Sequence, residues 1–196
     1  MSEKMATKNI MIVGVGGQGT LLTSRILGKL ATQAGYDVKL SEVHGMAQRG
    51  GSVVTFVRYG ESVAEPIVEE GQADVLIAFE RLEALRYLHF LKKDGVVIVN
   101  DWRIDPITVV TGVASYPDGI LEKLKEERKT IVVEATKEAK KLGAPKAFNV
   151  IVLGEMCIRD SPTCSRWTAR RMWRRIISCS LNPGVKIGRA SCRERV

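Results

Sequence analysis

The stretch that decides the fold is "MIVGVGGQGT", residues 11–20, where an apolar run breaks into glycines just before a helical pattern begins. Residues 9–15 are rich in β-formers and predict a buried strand, and the apolar spacing over 21–34 predicts a helix. Gly14, Gly16 and Gly19 fit G-x-G-x-x-G, a pattern that has meaning where it joins a strand to a helix. The stretch therefore indicates a dinucleotide site or an anion-binding loop with another use.

The rest of the chain alternates short apolar runs with helical patterns. Such runs predict further strands at 37–43, 52–59, 74–79, 95–100, 107–111 and 130–134. Helical spacing predicts helices at 80–91, 121–128 and 135–142, and a short one that Asn149 would cap. Strands that are almost continuously apolar and alternate with helices indicate an α/β fold, a three-layer Rossmann-like domain with a mostly parallel sheet.

Each glycine of the first loop, residues 14–20, has a physical use in an anion site. Gly14 allows the tight turn, Gly16 lets a phosphate approach the backbone, and Gly19 lets the helix pack closely. The helix start offers backbone N–H groups, and Thr20 adds a hydroxyl. The plain alternative is that these glycines only make a tight connection between strand and helix.

A second loop lies in "SEVHGMAQRGGSV", residues 41–53. Its glycines permit close backbone approach, while His44, Gln48 and Arg49 supply hydrogen-bond donors. Arg49 has the forked geometry that matches a carboxylate or a phosphate. Taken singly, His44 is explained by a bond to its own backbone and Arg49 by a surface ion pair.

Glu42 ends the second predicted strand, where a nicotinamide site holds an acidic residue for the ribose hydroxyls. One alternative is therefore a self-contained NAD(P)- or FAD-dependent oxidoreductase that uses residues 14–19 and Glu42. The second loop, which follows Glu42 at once, has no place in an ordinary dinucleotide site.

The composition changes abruptly after residue 155. The net charge is +8, yet residues 156–196 hold ten of the 30 basic and two of the 22 acidic residues, so residues 1–155 are balanced. A basic nucleic-acid-binding protein is thus an alternative that rests wholly on this tail. "MCIRDS" (156–161) and "IGRASCRERV" (187–196) resemble translated sequencing adapters. We predict a natural domain over 1–155, truncated at its C-terminus, and a non-native, disordered tail over 156–196.

The sequence predicts neither a metal site nor a membrane segment. All four cysteines follow residue 155, at spacings that match no zinc pattern, and no apolar run approaches the ~20 residues of a membrane span. The polar N-terminus does not resemble a secretory signal. We therefore expect a cytoplasmic protein that contacts neither membrane nor nucleic acid.

The two loops together resemble the gamma domain of the 2-oxoacid:ferredoxin oxidoreductases, and "HGMAQRGG" (44–51) is most similar to the indolepyruvate-type members. The resemblance covers about residues 8–155. It implies a small subunit that packs against a larger one carrying thiamine diphosphate and iron–sulfur clusters. The complex would decarboxylate an aryl 2-oxoacid oxidatively, make acyl-coenzyme A and pass electrons to ferredoxin.

The resemblance also implies roles for residues of both loops, of which the second would face the active site of the partner. We predict that His44, Gln48 and Arg49 serve the reaction directly. A coenzyme A contact at the loops is our hypothesis. The predicted cofactor-binding residues are Gly14, Gly16, Gly17, Gln18, Gly19, Thr20, Glu42, Gly45, Gly50 and Gly51.

Overall fold

A computed structural model describes residues 6–45 and 50–159, with side chains described up to Met156. The chain divides into two units, Met1–Met156 and Cys157–Val196. The fold below is that of the first unit. The predicted non-native tail over 156–196 lies outside the described residues except for Met156 and the helical backbone of 157–159.

Six strands and six α-helices make up the described part of the chain. The strands are β1 (Lys8–Val15), β2 (Asp37–His44), β3 (Ser52–Gly60), β4 (Ala73–Ala78), β5 (Leu91–Asn100) and β6 (Lys129–Val133). The helices are α1 (Thr20–Gln33), α2 (Arg81–Arg86), α3 (Ile107–Val110), α4 (Ile120–Glu127), α5 (Ala135–Lys141) and α6 (Phe148–Arg159). Two single 3₁₀ turns, Leu88–Phe90 and Pro145–Ala147, complete the order.

The six strands form one mixed sheet in the order β2-β3-β1-β4-β5-β6. β1, β4, β5 and β6 are parallel to one another, whereas β3 runs antiparallel to both β1 and β2. Only residues 45–51 connect β2 to β3, and a parallel crossover needs a dozen or more residues. The α/β fold with a mostly parallel sheet is confirmed, and the short second loop accounts for the one reversed strand.

Helices cover both faces of the sheet. β1 is buried at every residue except Lys8, which requires a packed layer on each side. On one face α2 and α4 supply Ala84, Ile120 and Leu124 to the core. On the other face Gly28 of α1 packs against Leu40 of β2. Burial on both faces explains why β1 and β4 are continuous apolar runs rather than alternating patterns.

Three predicted elements differ from the structure. The strand predicted at 107–111 is wrong: Ile107–Val110 is a single helical turn, in which the amides of Val109 and Val110 bond to the Pro106 carbonyl. The helix predicted over 80–91 ends at Arg86 and gives way to a 3₁₀ turn. The last helix starts at Phe148, so Asn149 lies inside it rather than before it, and the helix continues to Arg159.

Candidate functional site

The two glycine loops meet at the carboxyl end of β1. The backbone N–H of Gly16 donates to the carbonyl of Gly51 at 2.8 Å, and Val15 lies opposite Ser52 in the β1–β3 register. The hairpin between β2 and β3 therefore returns the second loop to the first. The structure brings together the two segments that the sequence predicted to act jointly.

Gln18 braces the first loop from inside. Its Oε1 accepts from the Val15 N–H at 2.7 Å, and its Nε2 donates to the Phe79 carbonyl at 3.1 Å. A Cβ on Gly14 would lie 2.8 Å from Gln18 Oε1. Gly14 therefore makes room for the Gln18 side chain, whose two polar atoms tie the end of β1 to the end of β4.

Gly19 makes room for a residue from α6. It adopts φ +86°, and a Cβ there would come within 2.5 Å of Asn149 Nδ2. The Asn149 amide also donates to the Gln18 carbonyl at 3.5 Å, and the rings of Phe148 and Phe79 pack edge to face at 5.5 Å. Gly19 therefore allows close packing against α6 as well as the start of α1.

The backbone is open at three other glycines. A Cβ at Gly17, Gly45 or Gly50 would meet no described atom within 4 Å, and Gly17 and Gly50 have φ of +99° and +81°. Thr20 is buried as the first residue of α1, whose opening N–H groups have no partner within the helix. Gly17 of the first loop and Gly45 and Gly50 of the second are exposed.

Glu42 and His44 lie on β2, at the edge of the sheet. The registers place Glu42 level with Thr55 of β3 and Ile12 of β1, so a whole strand separates Glu42 from the glycine strand. A dinucleotide fold instead puts the acidic strand directly beside the glycine strand. Glu42 therefore does not stand where a dinucleotide fold places its ribose-binding carboxylate.

His44 is exposed, and its Nδ1 lies 3.3 Å from the carbonyl oxygen of Gly45, which is the local contact that the plain interpretation expects. Gln48 and Arg49 lie outside the described residues. Their predicted roles remain predictions.

Sequence reasoning missed the side chains that anchor the second loop. Ser52 Oγ donates a short hydrogen bond to Glu83 Oε2 of α2 and lies 3.1 Å from Tyr87 Oη. Burial raises the pKa of the Glu83 carboxyl, although the bonds to Ser52 and the nearby Arg86 oppose the shift. No sequence signal singled out Glu83, because the predicted helix over 80–91 carries two glutamates and two arginines.

Glu80, the residue before α2, is only 1% exposed, and both of its carboxyl oxygens accept hydrogen bonds. Its Oε2 accepts from the Glu83 N–H at 3.0 Å and caps α2, and its Oε1 accepts from the Tyr116 hydroxyl at 2.6 Å. These contacts make it a structural residue. Within 6–45 and 50–159, no cluster of His, Cys, Asp and Glu is arranged to hold a metal ion.

Over the described ranges, no helix is both long and apolar enough to cross a bilayer.

Comparison with known proteins gives consistent results. The family model described as "Pyruvate ferredoxin/flavodoxin oxidoreductase" matches residues 9–158. Over 156 residues the chain is 45% identical to the indolepyruvate oxidoreductase subunit IorB of Thermococcus kodakarensis, covering 78% of this chain and 77% of that one. It is 48% identical over 149 residues to IorB of Archaeoglobus fulgidus, covering 74% of each.

One solved structure shares the fold within a much longer chain. This is the 2-oxoglutarate:ferredoxin oxidoreductase of Magnetococcus marinus, with 2-oxoglutarate, coenzyme A and succinyl-CoA bound. The TM-score is 0.59 at 15% identity, covering 91% of this chain and 28% of that one. The dinucleotide and nucleic-acid alternatives find no support in these comparisons. Because the family model matches residues 9–158, this chain belongs to the pyruvate ferredoxin/flavodoxin oxidoreductase family.

Proposed function

We propose that this chain is the small subunit of an indolepyruvate-type 2-oxoacid:ferredoxin oxidoreductase. The observation that carries the proposal is the 45–48% identity to two indolepyruvate oxidoreductase subunits over about three quarters of both chains. The complex takes an aryl 2-oxoacid and coenzyme A to an acyl-coenzyme A and carbon dioxide, and it passes two electrons to ferredoxin. Coenzyme A is a cytoplasmic metabolite, so a cytoplasmic location belongs to the same proposal.

A larger partner subunit carries the redox groups in this proposal. Iron–sulfur clusters are held by cysteine thiolates, and residues 1–156 contain no cysteine. Thiamine diphosphate bound to the partner would supply the electron sink for decarboxylation. The small subunit then binds and orients a reactant beside that centre rather than carrying the cofactor.

The reactant that we assign to the glycine loops is coenzyme A, whose phosphates suit a loop of this kind. The backbone is open at Gly17 and Gly50, and the N-terminus of α1 presents N–H groups and the positive end of its dipole. Arg49 would add a forked cation, with His44 and Gln48 as further donors at the acyl-transfer step. The coenzyme A bound in the Magnetococcus marinus enzyme, which shares this fold, supports the assignment.

Co-expression with a thiamine-diphosphate-binding large subunit of this family tests the proposal. We expect the two chains to co-purify and to reduce a viologen dye when indolepyruvate and coenzyme A are both present. Pyruvate and 2-oxoglutarate, tested in parallel, should give lower kcat/KM values than indolepyruvate. An inactive mixture, together with tight NADH binding by the small chain alone, would overturn the proposal in favour of a dinucleotide enzyme.

Arg49→Ala tests the assignment of coenzyme A to the second loop. Removing a charged contact to a phosphate costs about 1.5–3 kcal/mol, so the KM for coenzyme A should rise at least about tenfold while the KM for indolepyruvate stays unchanged. Arg25→Ala removes an exposed arginine from α1 and is the matched control. Equal KM values for coenzyme A in the two variants would contradict the assignment.

A further inference from the structure

We propose that Ser52, Glu83 and Tyr87 form a positioning clamp that holds the second loop against the first and thereby sets the affinity for coenzyme A. We call these three residues the Ser52 clamp. The inference rests on the proposed function. It adds residues from outside both glycine loops, and none of the three touches the ligand in this proposal.

The clamp sits where the second loop becomes β3. Ser52 is the first residue of β3 and directly follows Gly51. Its Oγ donates to Glu83 Oε2 and lies 3.1 Å from Tyr87 Oη, while the Gly51 carbonyl accepts from the Gly16 N–H at 2.8 Å. A path of two hydrogen bonds and one peptide unit therefore links α2 to the first loop.

Gly50 shows why this end of the loop needs an anchor. It adopts φ +81°, and no side chain of the described residues lies within 4 Å of a Cβ position there. A glycine-rich segment that is ordered on binding loses more backbone entropy than one already held in place. Fixing Ser52 from α2 reduces that cost, because Gly51 and Ser52 are held before a ligand arrives.

The burial of the Glu83 carboxyl group, which is unfavourable for folding stability, supports a positioning role. The residue is only 4% exposed, and a buried carboxylate destabilises a protein unless its bonds are excellent. Arg86 Nη1 lies 3.3 Å from Glu83 Oε1, but the carboxylate of Glu80 adds repulsion. What the Glu83 carboxyl group supplies, and an apolar residue would not, is an oxygen that accepts a directional hydrogen bond from Ser52.

The test uses the co-expressed complex with Ser52→Ala and Glu83→Gln. We expect the KM for coenzyme A to rise about tenfold in both, with kcat and the KM for indolepyruvate within about twofold of wild type. Hydrogen–deuterium exchange in the same complexes should increase in the peptide spanning 44–53 and stay unchanged in β4 and β5. The Tm of Glu83→Gln should equal or exceed that of wild type.

Tyr87→Phe is the second variant, because it removes one bond to Ser52 and keeps the packed ring. It should raise the KM for coenzyme A less than Ser52→Ala does. Ser115→Ala and Glu126→Gln change exposed residues and are the matched controls. A lower Tm with faster exchange throughout the sheet would make the cluster merely structural and overturn the inference.

Failure of the inference and failure of the proposed function give different results. If the wild-type complex reduces the dye but the clamp variants match it in exchange and KM, the clamp is wrong and the function stands. If the wild-type complex is inactive, the proposed function fails. In that case unchanged exchange at 44–53 in the variants overturns the positioning role, and increased exchange supports it.

Discussion

The side-chain amide of Asn149 lies so close to Gly19 that a Cβ at position 19 would stand 2.5 Å from its nitrogen. The two residues are far apart in the sequence, yet their contact holds the start of α1 against α6. The Asn149 amide also reaches the Gln18 carbonyl at 3.5 Å. The glycine at the end of the first loop therefore has a packing function that is independent of any ligand.

Gly19→Ala should consequently cost more than a backbone effect alone. A left-handed non-glycine residue costs about 1–2 kcal/mol, and displacing the Asn149 amide adds a comparable amount. We expect the free energy of unfolding in urea to fall by about 2–4 kcal/mol. Gly17→Ala is the matched control, because Gly17 has φ +99° but no described neighbour. Equal losses in the two variants would show that Asn149 does not restrict position 19.

Gln18 should contribute to the stability of the domain. Gln18→Ala leaves the Val15 N–H without its 2.7 Å acceptor, and an unmet buried donor costs about 1–3 kcal/mol of unfolding free energy. Gln18→Glu keeps that acceptor but turns a carboxylate toward the Phe79 carbonyl, where Nε2 now donates at 3.1 Å.

Gln18→Glu should therefore be less stable than wild type at neutral pH and regain stability as the pH falls, because a protonated carboxyl can donate to that carbonyl. Urea unfolding across a pH series measures the difference. Gln33→Glu, at the exposed end of α1, is the control and should show no comparable recovery.

The sequence predicted the sheet and the two loops because their signals are local. Apolar runs mark β1 and β4, and the glycine spacing after β1 predicts the tight turn of the first loop. The helical turn α3 was missed because β-branched residues at 107–110 favour a strand by propensity. Bonds from Val109 and Val110 to the Pro106 carbonyl decide the turn instead.

The residues that support the loops were missed because their partners are distant in the chain. Ser52 and Glu83 are 31 positions apart, and Gln18 and Asn149 are 131 apart. No periodicity or motif connects such pairs before the sheet order is known. The position of β3 also depends on pairing between distant residues. Because β3 lies between β1 and β2, it separates Glu42 from the strand that precedes the first loop.

Tyr116 should stabilise the buried carboxylate that caps α2. Its hydroxyl donates to Glu80 Oε1 at 2.6 Å, and the Ile104 N–H at 3.3 Å is the other donor to that oxygen. Tyr116→Phe preserves the ring and removes the bond, so the free energy of unfolding should fall by about 1.5–3 kcal/mol. Tyr36→Phe, on a half-buried ring packed against Tyr59, is the control and should cost less. Similar losses in both would contradict a special role for the Tyr116 hydroxyl.

Glu83 should make the stability of the domain depend on pH. The groups that face its carboxylate are Ser52, Arg86 and Glu80, with Tyr87 reached through Ser52. Burial raises the pKa of Glu83 above its ordinary value of 4.5, so the folded state binds the proton more tightly than the unfolded state. That stabilisation is complete below pH 4.5 and is lost as the pH rises through the raised pKa.

The glutamine in Glu83→Gln cannot titrate. The free energy of unfolding of the variant, relative to that of wild type, should therefore increase as the pH rises above 4.5, and this difference should then become constant. Asp37→Asn is the control of opposite sign. The Val63 N–H and Lys39 lower the pKa of Asp37 below 3.8, so wild type should exceed that variant at neutral pH and lose its advantage as the pH falls. Urea unfolding of the three proteins over one pH series measures both trends. A constant difference between wild type and Glu83→Gln would mean that the Glu83 carboxyl titrates alike in the folded and unfolded states.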